Sequence, residues 1–256
     1  MLNADLFSEC LQTGEIAWRC FDNKFSPQQR HSHASVRVGH RLYVFGGLSG
    51  TSCCYNDLWS FDLNLKVWSR PATTGSTTYP SPKAASSLVA YDADTLVLYG
   101  GYSHPYSYPF NQQVNFFDEL HLYSIEKATW TTIVFSQEAP KLAGHTASIL
   151  GKNQMILFGG CNGTLGNKTN GVYCLDLTNF HWTSVVNGGD VPTAKNNSGG
   201  GKVRRIDGYR PEPRYGHSQM TLDDERVLII GGCGGPNKVC LFFVSNILSI
   251  IDEREV

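Results

Sequence analysis

Four times along the chain an apolar run ends in two glycines: "LYVFGG" at 42–47, "LVLYGG" at 96–101, "MILFGG" at 155–160 and "VLIIGG" at 227–232. The pairs are Gly46-Gly47, Gly100-Gly101, Gly159-Gly160 and Gly231-Gly232, and successive pairs lie 54, 59 and 72 residues apart. Glycine lacks a Cβ, so such a pair admits backbone angles and close backbone approaches closed to other residues. A fixed device at intervals this long marks a repeat architecture, and it limits the chain to stacked copies of one small unit.

Each diglycine has the same surroundings. Upstream lie "RHSHASV" at 30–36, "KAASSLV" at 83–89, "LAGHTASI" at 142–149 and "RYGHSQM" at 214–220. Downstream lie "NDLWSFD" at 56–62, "FDELHLYS" at 117–124 and "GVYCLDL" at 171–177, followed by short runs opened by Trp68, Trp130 and Trp182. Every unit thus holds four strand-sized runs, rich in β-branched and aromatic residues and bounded by turn residues. Helical periodicity is absent over any useful length. Four strands per unit, repeated, predict an all-β β-propeller with about four four-stranded blades. The tryptophans are expected to close the outer strands and bury large rings between blades.

The units run over 30–79, 80–135, 136–186 and 211–256. A Gly/Asn-rich insertion at 187–210 is expected to be flexible. Residues 1–29 form a lead-in whose "EIAWRCF" at 15–21 matches a fourth strand, with Trp18 in the tryptophan position. At the other end "NILSIID" at 246–252 parallels the third strand. The matched ends favour a closed four-bladed ring; in the other reading the chain is a piece of a larger propeller, and the tail "VCLFFVSNILSIIDEREV" departs from the pattern where more blades should follow.

The repeat resembles the kelch family, in which four apolar residues, a diglycine and spaced aromatics recur. The spacings here exceed the period of about 50 residues typical of kelch repeats, so loops have grown within units. The stretches "YNDLWSFDLNLKVWSRP", "YPSPKA", "FFDELHLYS" and "LIIGGCGGPN" are more narrowly similar to the kelch propellers of the F-box only protein 42 type. That resemblance implies a kelch-type β-propeller that recognises clients for an SCF-type ubiquitin ligase. Kelch relatives have five to seven blades, which adds weight to the larger-propeller reading. No F-box segment is visible, so the resemblance is to the recognition half, and ligase subunits are expected as partners only of a longer form that carries one.

The turns between first and second strands and between third and fourth strands are short. The connections between second and third strands, and from one unit to the next, are long, and in an antiparallel blade these share one face. The loop after the second diglycine carries Tyr102, His104, Tyr106, Tyr108 and Phe110. On a rigid scaffold such rings supply contact area for a client protein, or they fold back over a neighbouring blade. In the insertion, Lys202, Arg204, Arg205 and Arg210 concentrate positive charge suited to an acidic partner surface or phosphate, or simply to solvent.

Other chemistry is poorly supported. His33, His145 and His217 share one repeat position, which suits hydrogen bonding between blades better than metal ligation, and no Cys/His spacing matches zinc. No nucleophile elbow or phosphate loop is present, so no catalytic residue, metal or cofactor is assigned. Asp62, Asp176 and Asp252 recur at the end of the third strand and suit turn caps. The rival readings are a kelch-fold oxidase, which needs copper and a Tyr–Cys crosslink, and a cytoskeletal scaffold.

The formal charge of −1 excludes a whole-chain electrostatic case for nucleic acid or an anionic membrane. The start, "MLNADLFSECLQTGEIAW", has neither a basic nor an apolar signal region. The chain is therefore expected in the cytoplasm or nucleus, with its eight cysteines reduced and the sequons at Asn162, Asn167 and Asn196 unused. The apolar stretch "VCLFFVSNILSII" has 13 residues, too few to span a bilayer.

Overall fold

The computed structural model describes residues 24–50, 53–73, 78–104, 114–163, 167–187, 204–206, 211–224, 226–234 and 241–244. Among them there is strand and turn but no helix. Blade one is β1 (Ala34–Val38), β2 (Arg41–Phe45), β3 (Leu58–Asp62) and β4 (Val67–Ser69), paired in that order. Blade two is β5 (Ser87–Ala90), β6 (Thr95–Tyr99), β9 (Leu120–Ser124) and β10 (Thr129–Ile133). Its long loop contributes a small ribbon of β7 (Tyr102–Ser103) and β8 (Asn115–Phe116). Blade three is β11 (Thr146–Leu150), β12 (Gln154–Phe158), β13 (Val172–Asp176) and β14 (His181–Asn187), with β15 (Arg204–Ile206) added at its edge. Blade four has β16 (Ser218–Thr221), β17 (Val227–Ile230) and β18 (Leu241–Val244).

The core lies between blades. Side chains alternate along each strand, so the two faces of a blade serve two different joints. Tyr43, Phe45 and Leu58 of blade one meet Leu96, Leu98 and Tyr123 of blade two. The other face of blade two, with Val97, Tyr99 and Leu120, meets Met155, Leu157 and Leu175. Ile156, Phe158 and Cys174 then meet Val227 and Ile229. Trp130 lies beside Phe45 of the preceding blade, ring centres 5.5 Å apart, and Trp182 beside Tyr99 at 4.9 Å. Trp68 differs from the buried position expected for it. It is half-buried at the outer side of blade one, against Trp59 and Phe61 of its own sheet, because no blade precedes it among the described residues.

The diglycine is the hinge pin of each joint. All eight of its residues have positive φ, from 62° to 96°. The second amide donates to a carbonyl four residues ahead of the next blade's first strand: Gly47 to Lys83 at 2.9 Å, Gly101 to Leu142 at 2.8 Å and Gly160 to Arg214 at 2.7 Å. A Cβ on the first glycine would lie 2.5–2.7 Å from that same carbonyl. Nearer the axis runs a belt. Ser32, Ala85, Gly144 and Gly216 occupy one repeat position and all have left-handed φ, between 53° and 66°. The Ala85 amide donates to Ser32, Gly144 to Ala85 and Gly216 to Gly144, at 2.8–3.0 Å. Blades three and four use glycine there and blade two does not, so Ala85→Gly is expected to stabilise the fold by about 1 kcal/mol, less the entropy of the freed chain. Urea denaturation would show it as a higher midpoint with an unchanged slope.

Two expectations are corrected. The third strand of blade four is β18 at 241–244, not 246–252. The aromatic run "LFFV" pairs Ile230 with Leu241 and Val227 with Val244, and 246–252 lies outside the described residues. The insertion at 187–210, expected to be flexible throughout, supplies a strand. Arg204–Ile206 run parallel to Val185–Asn187, because the outer strand of a blade leaves backbone groups open to pairing. Trp18 and the strand expected at 15–21 lie outside the described residues.

Candidate functional site

Short turns gather on one face of the blades. The Leu63 amide donates to His40, Ile125 to Asp94 and Leu177 to Asn153, joining the turn after the first strand to the turn after the third. Asp62 and Asp176 cap these turns, accepting from Asn64 and Leu65, and from Thr178. The opposite face carries the described ends of the long connections. There the residue after each diglycine bridges to the start of its own blade: Leu48 to His31, Tyr102 to Ala84, Cys161 to Ala143 and Cys233 to Tyr215.

These bridges surround a cavity of 440 Å³ at the hub, floored by the belt residues and walled by His33, Tyr102, Cys161 and Tyr215. Its chemistry favours contact over reaction. Burial pushes the Tyr102 phenol up. Burial also pushes the Cys161 thiol up, against the pull of Lys168, so it stays protonated and weakly nucleophilic. Cys53, Cys54, Cys161, Cys174 and Cys233 are in no disulfide. Among the described residues no three His, Cys, Asp or Glu are grouped to hold a metal ion.

The histidines beneath the cavity hold blades together. His145 Nε2 lies 2.9 Å from Ser87 Oγ of the preceding blade, and Thr146 Oγ1 lies 2.6 Å from His217 Nε2 of the following one. Burial, with His217 nearby, lowers His145 to about 3, and burial, with Arg214 nearby, lowers His217 to about 4. Unfolding returns both to an ordinary value of 6.5, so the unfolded chain binds protons that the folded chain refuses. The stabilisation is complete above about pH 7 and drains away as pH falls through 6.5 toward 4. Between pH 7 and pH 5 it should amount to about 2 kcal/mol per histidine. Urea titrations at the two pH values measure it, and His145→Gln should flatten the dependence.

Of the residues expected to meet a partner, Tyr102 is not on a loop tip. It is half-buried in β7, packed on Leu48, Cys54 and Ala84 from one side and Ala143 and Cys161 from the other, with one edge in the cavity. His104 stands beside it, edge to face at 5.4 Å. Tyr106, Tyr108 and Phe110 lie outside the described residues. The backbones of Arg204 and Arg205 form β15, at the edge of blade three, so the structure does not bring them to the hub ring.

The buried ions were missed in the sequence. Lys83 is fully buried with Nζ 2.6 Å from Glu119, and Arg30 binds Asp57 through both terminal nitrogens. The signal was present: cation and carboxylate recur at fixed repeat positions in blades one and two. Blade three replaces both at once, with Leu142 and Gly171.

A family model described as "FBX42, beta-propeller domain" matches residues 30–248. The chain is 29% identical over 233 residues to putative adagio-like protein 2 of Oryza sativa subsp. japonica, covering 89% of this chain and 34% of that protein. It is 27% identical over 161 residues to acyl-CoA-binding domain-containing protein 5 of Arabidopsis thaliana, covering 62% and 23%. It is 30% identical over 220 residues to tip elongation aberrant protein 1 of Schizosaccharomyces pombe, covering 81% and 16%. The chain spans about a third of the length of the adagio-like relatives. Strand order, diglycine joints and the matched span agree: the chain belongs to the FBX42 beta-propeller family of kelch-type propellers.

Proposed function

We propose that this chain is a noncatalytic protein-binding module that holds a client on its long-loop face, as the recognition half of an F-box/kelch ubiquitin-ligase receptor. The observation that carries this reading is one-sided growth. Among the described residues, the short turns gather on one face, while the ends of the long connections, the aromatic ribbon of blade two and the hub cavity share the other. A protonated thiol and a protonated phenol at the cavity wall suit recognition rather than turnover. Ligase subunits enter only through a longer form bearing an F-box. The cytoplasm or nucleus is the compartment this role requires.

The test compares affinity capture from cell extract by the folded wild type, by Tyr102→Ala and Tyr106→Ala/Tyr108→Ala, and by a short-turn control, Leu65→Ala. The reading expects a specific partner lost with the loop variants and kept by the control. Equal recovery by all forms removes the long-loop face from the account.

A further inference from the structure

An amine, a thiol and a phenol meet where blade four seats on blade three, a joint with both of its partners present. Lys168 comes from the loop between the second and third strands of blade three, and its backbone is bridged to Cys161. Its side chain crosses to blade four. There Nζ donates to the Gly234 carbonyl at 3.3 Å and lies 3.6 Å from Cys233 Sγ. The same Nζ stands 5.5 Å from the centre of the Tyr215 ring. The Tyr215 hydroxyl hydrogen-bonds Cys233. That bond, the charge the sulfur can carry and burial push the phenol up, so it stays a donor.

Two donors thus converge on one sulfur, and the thiolate is the form of a cysteine that attacks an oxidant. The neighbouring thiols differ. Burial raises Cys54 and Cys161, so both stay protonated. Cys161 is nonetheless close enough to Cys233 to feel its charge, which makes it the rival for any oxidised form of Cys233. Lys168 is placed ahead of that rival. Its nitrogen is already in contact with the sulfur, and its hold on the Gly234 carbonyl, next in sequence to Cys233, keeps it there.

We propose that Cys233 and Lys168 form a modification site at which a hydroperoxide drives closure of an N–S crosslink between blades three and four. In the first step the Cys233 sulfur attacks a peroxide oxygen and the O–O bond breaks. Hydrogen peroxide leaves as water and the sulfur is left as a sulfenic acid, oxidised by two electrons. In the second step Lys168, as its free amine, attacks Sγ. The N–S bond forms, the S–O bond breaks, and the departing hydroxide takes a proton from the nitrogen and leaves as water. One peroxide, one thiol and one amine thus give one sulfenamide and two waters. Sulfenic acids condense with backbone nitrogen or a second thiol in the same way. Tyr215 and Cys161 both wall the hub cavity, so the crosslink fixes one side of its rim. Neither step depends on what the cavity holds.

The folded protein is treated with hydrogen peroxide, quenched with catalase and digested without reductant for peptide mass spectrometry. The wild type is compared with Lys168→Arg, Cys233→Ser and Cys161→Ser, each checked for fold by circular dichroism. The wild type should yield the Lys168 and Cys233 peptides joined, with the loss of two hydrogens, and dithiothreitol should return both to their starting masses. Cys161→Ser should crosslink as the wild type does. Lys168→Arg keeps the positive charge but lacks the nucleophilic amine, so it should lose the crosslink and leave a sulfenic acid that dimedone traps at residue 233. A wild type whose Cys233 stops at the sulfenic acid or stays a thiol overturns the proposal. So does a wild type that joins Cys233 to Cys161 instead of to Lys168.

Discussion

Gly100→Ala is expected to destabilise the protein by about 3 to 4 kcal/mol. Left-handed backbone costs an L-residue about 1–2 kcal/mol, and overpacking at a fixed neighbour adds about 1–3 kcal/mol. The neighbour here is rigid: the new Cβ falls 2.6 Å from the Leu142 carbonyl and 2.9 Å from the His145 ring. Both belong to the joint that seats blade three on blade two, so relief means parting the blades. Gly231→Ala is the control. It keeps the backbone strain at φ 73° but meets no described atom within 4 Å, so it should cost only about 1–2 kcal/mol. Urea unfolding of the pair measures the joint directly, and equal losses would remove the steric part of the argument.

Glu119→Gln should be comparably severe, at about 3–5 kcal/mol, the usual cost of stranding a buried charge. Lys83 has no exposed side-chain surface, and Glu119 is its ion-pair partner at 2.6 Å. Burial pushes the Lys83 ammonium down while the Glu119 charge opposes that. Burial alone would raise Glu119, but the hydrogen bond with His121 and the Lys83 charge bring it to about 2. Its contribution is therefore present above the ordinary value of 4.5 and lost as pH falls toward 2. Blade three shows the way out, with Leu142 and Gly171 at these positions. Lys83→Leu/Glu119→Gly should accordingly recover most of the loss caused by Glu119→Gln, and a double variant no more stable than the single one would refute the pairing.

The repeat made the blades legible, because the diglycine and the strand runs are consecutive residues whose spacing survives loop insertion. Strand order within the blades followed from antiparallel connectivity alone. Blade four was harder. Its third strand could be drawn at "LFFV" or at "NILSIID", two apolar runs in one stretch, and only pairing with Val227–Ile230 decides between them. Arg204–Ile206 read as loop because its pairing is with the edge of a finished sheet, a contact that no local pattern encodes. At the site, the sequence left Tyr102 either to client contact or to packing over a neighbouring blade, and the structure packs its ring. Its ring is held by Ala84 and Cys161, far apart in sequence and brought together only where blade three packs on blade two. The cavity was invisible for the same reason, since all four blades contribute residues to it.

The central claim is that backbone joints at the diglycines and the belt lock separate blades into one unit. Amide hydrogen exchange by NMR at Gly101, Gly160, Gly144 and Gly216 tests it most directly. These four amides donate across blades, so they should exchange as slowly as the central strands, through global unfolding. Exchange at the rate of open loops, while β6 and β12 stay protected, would mean that the blades are not joined as described.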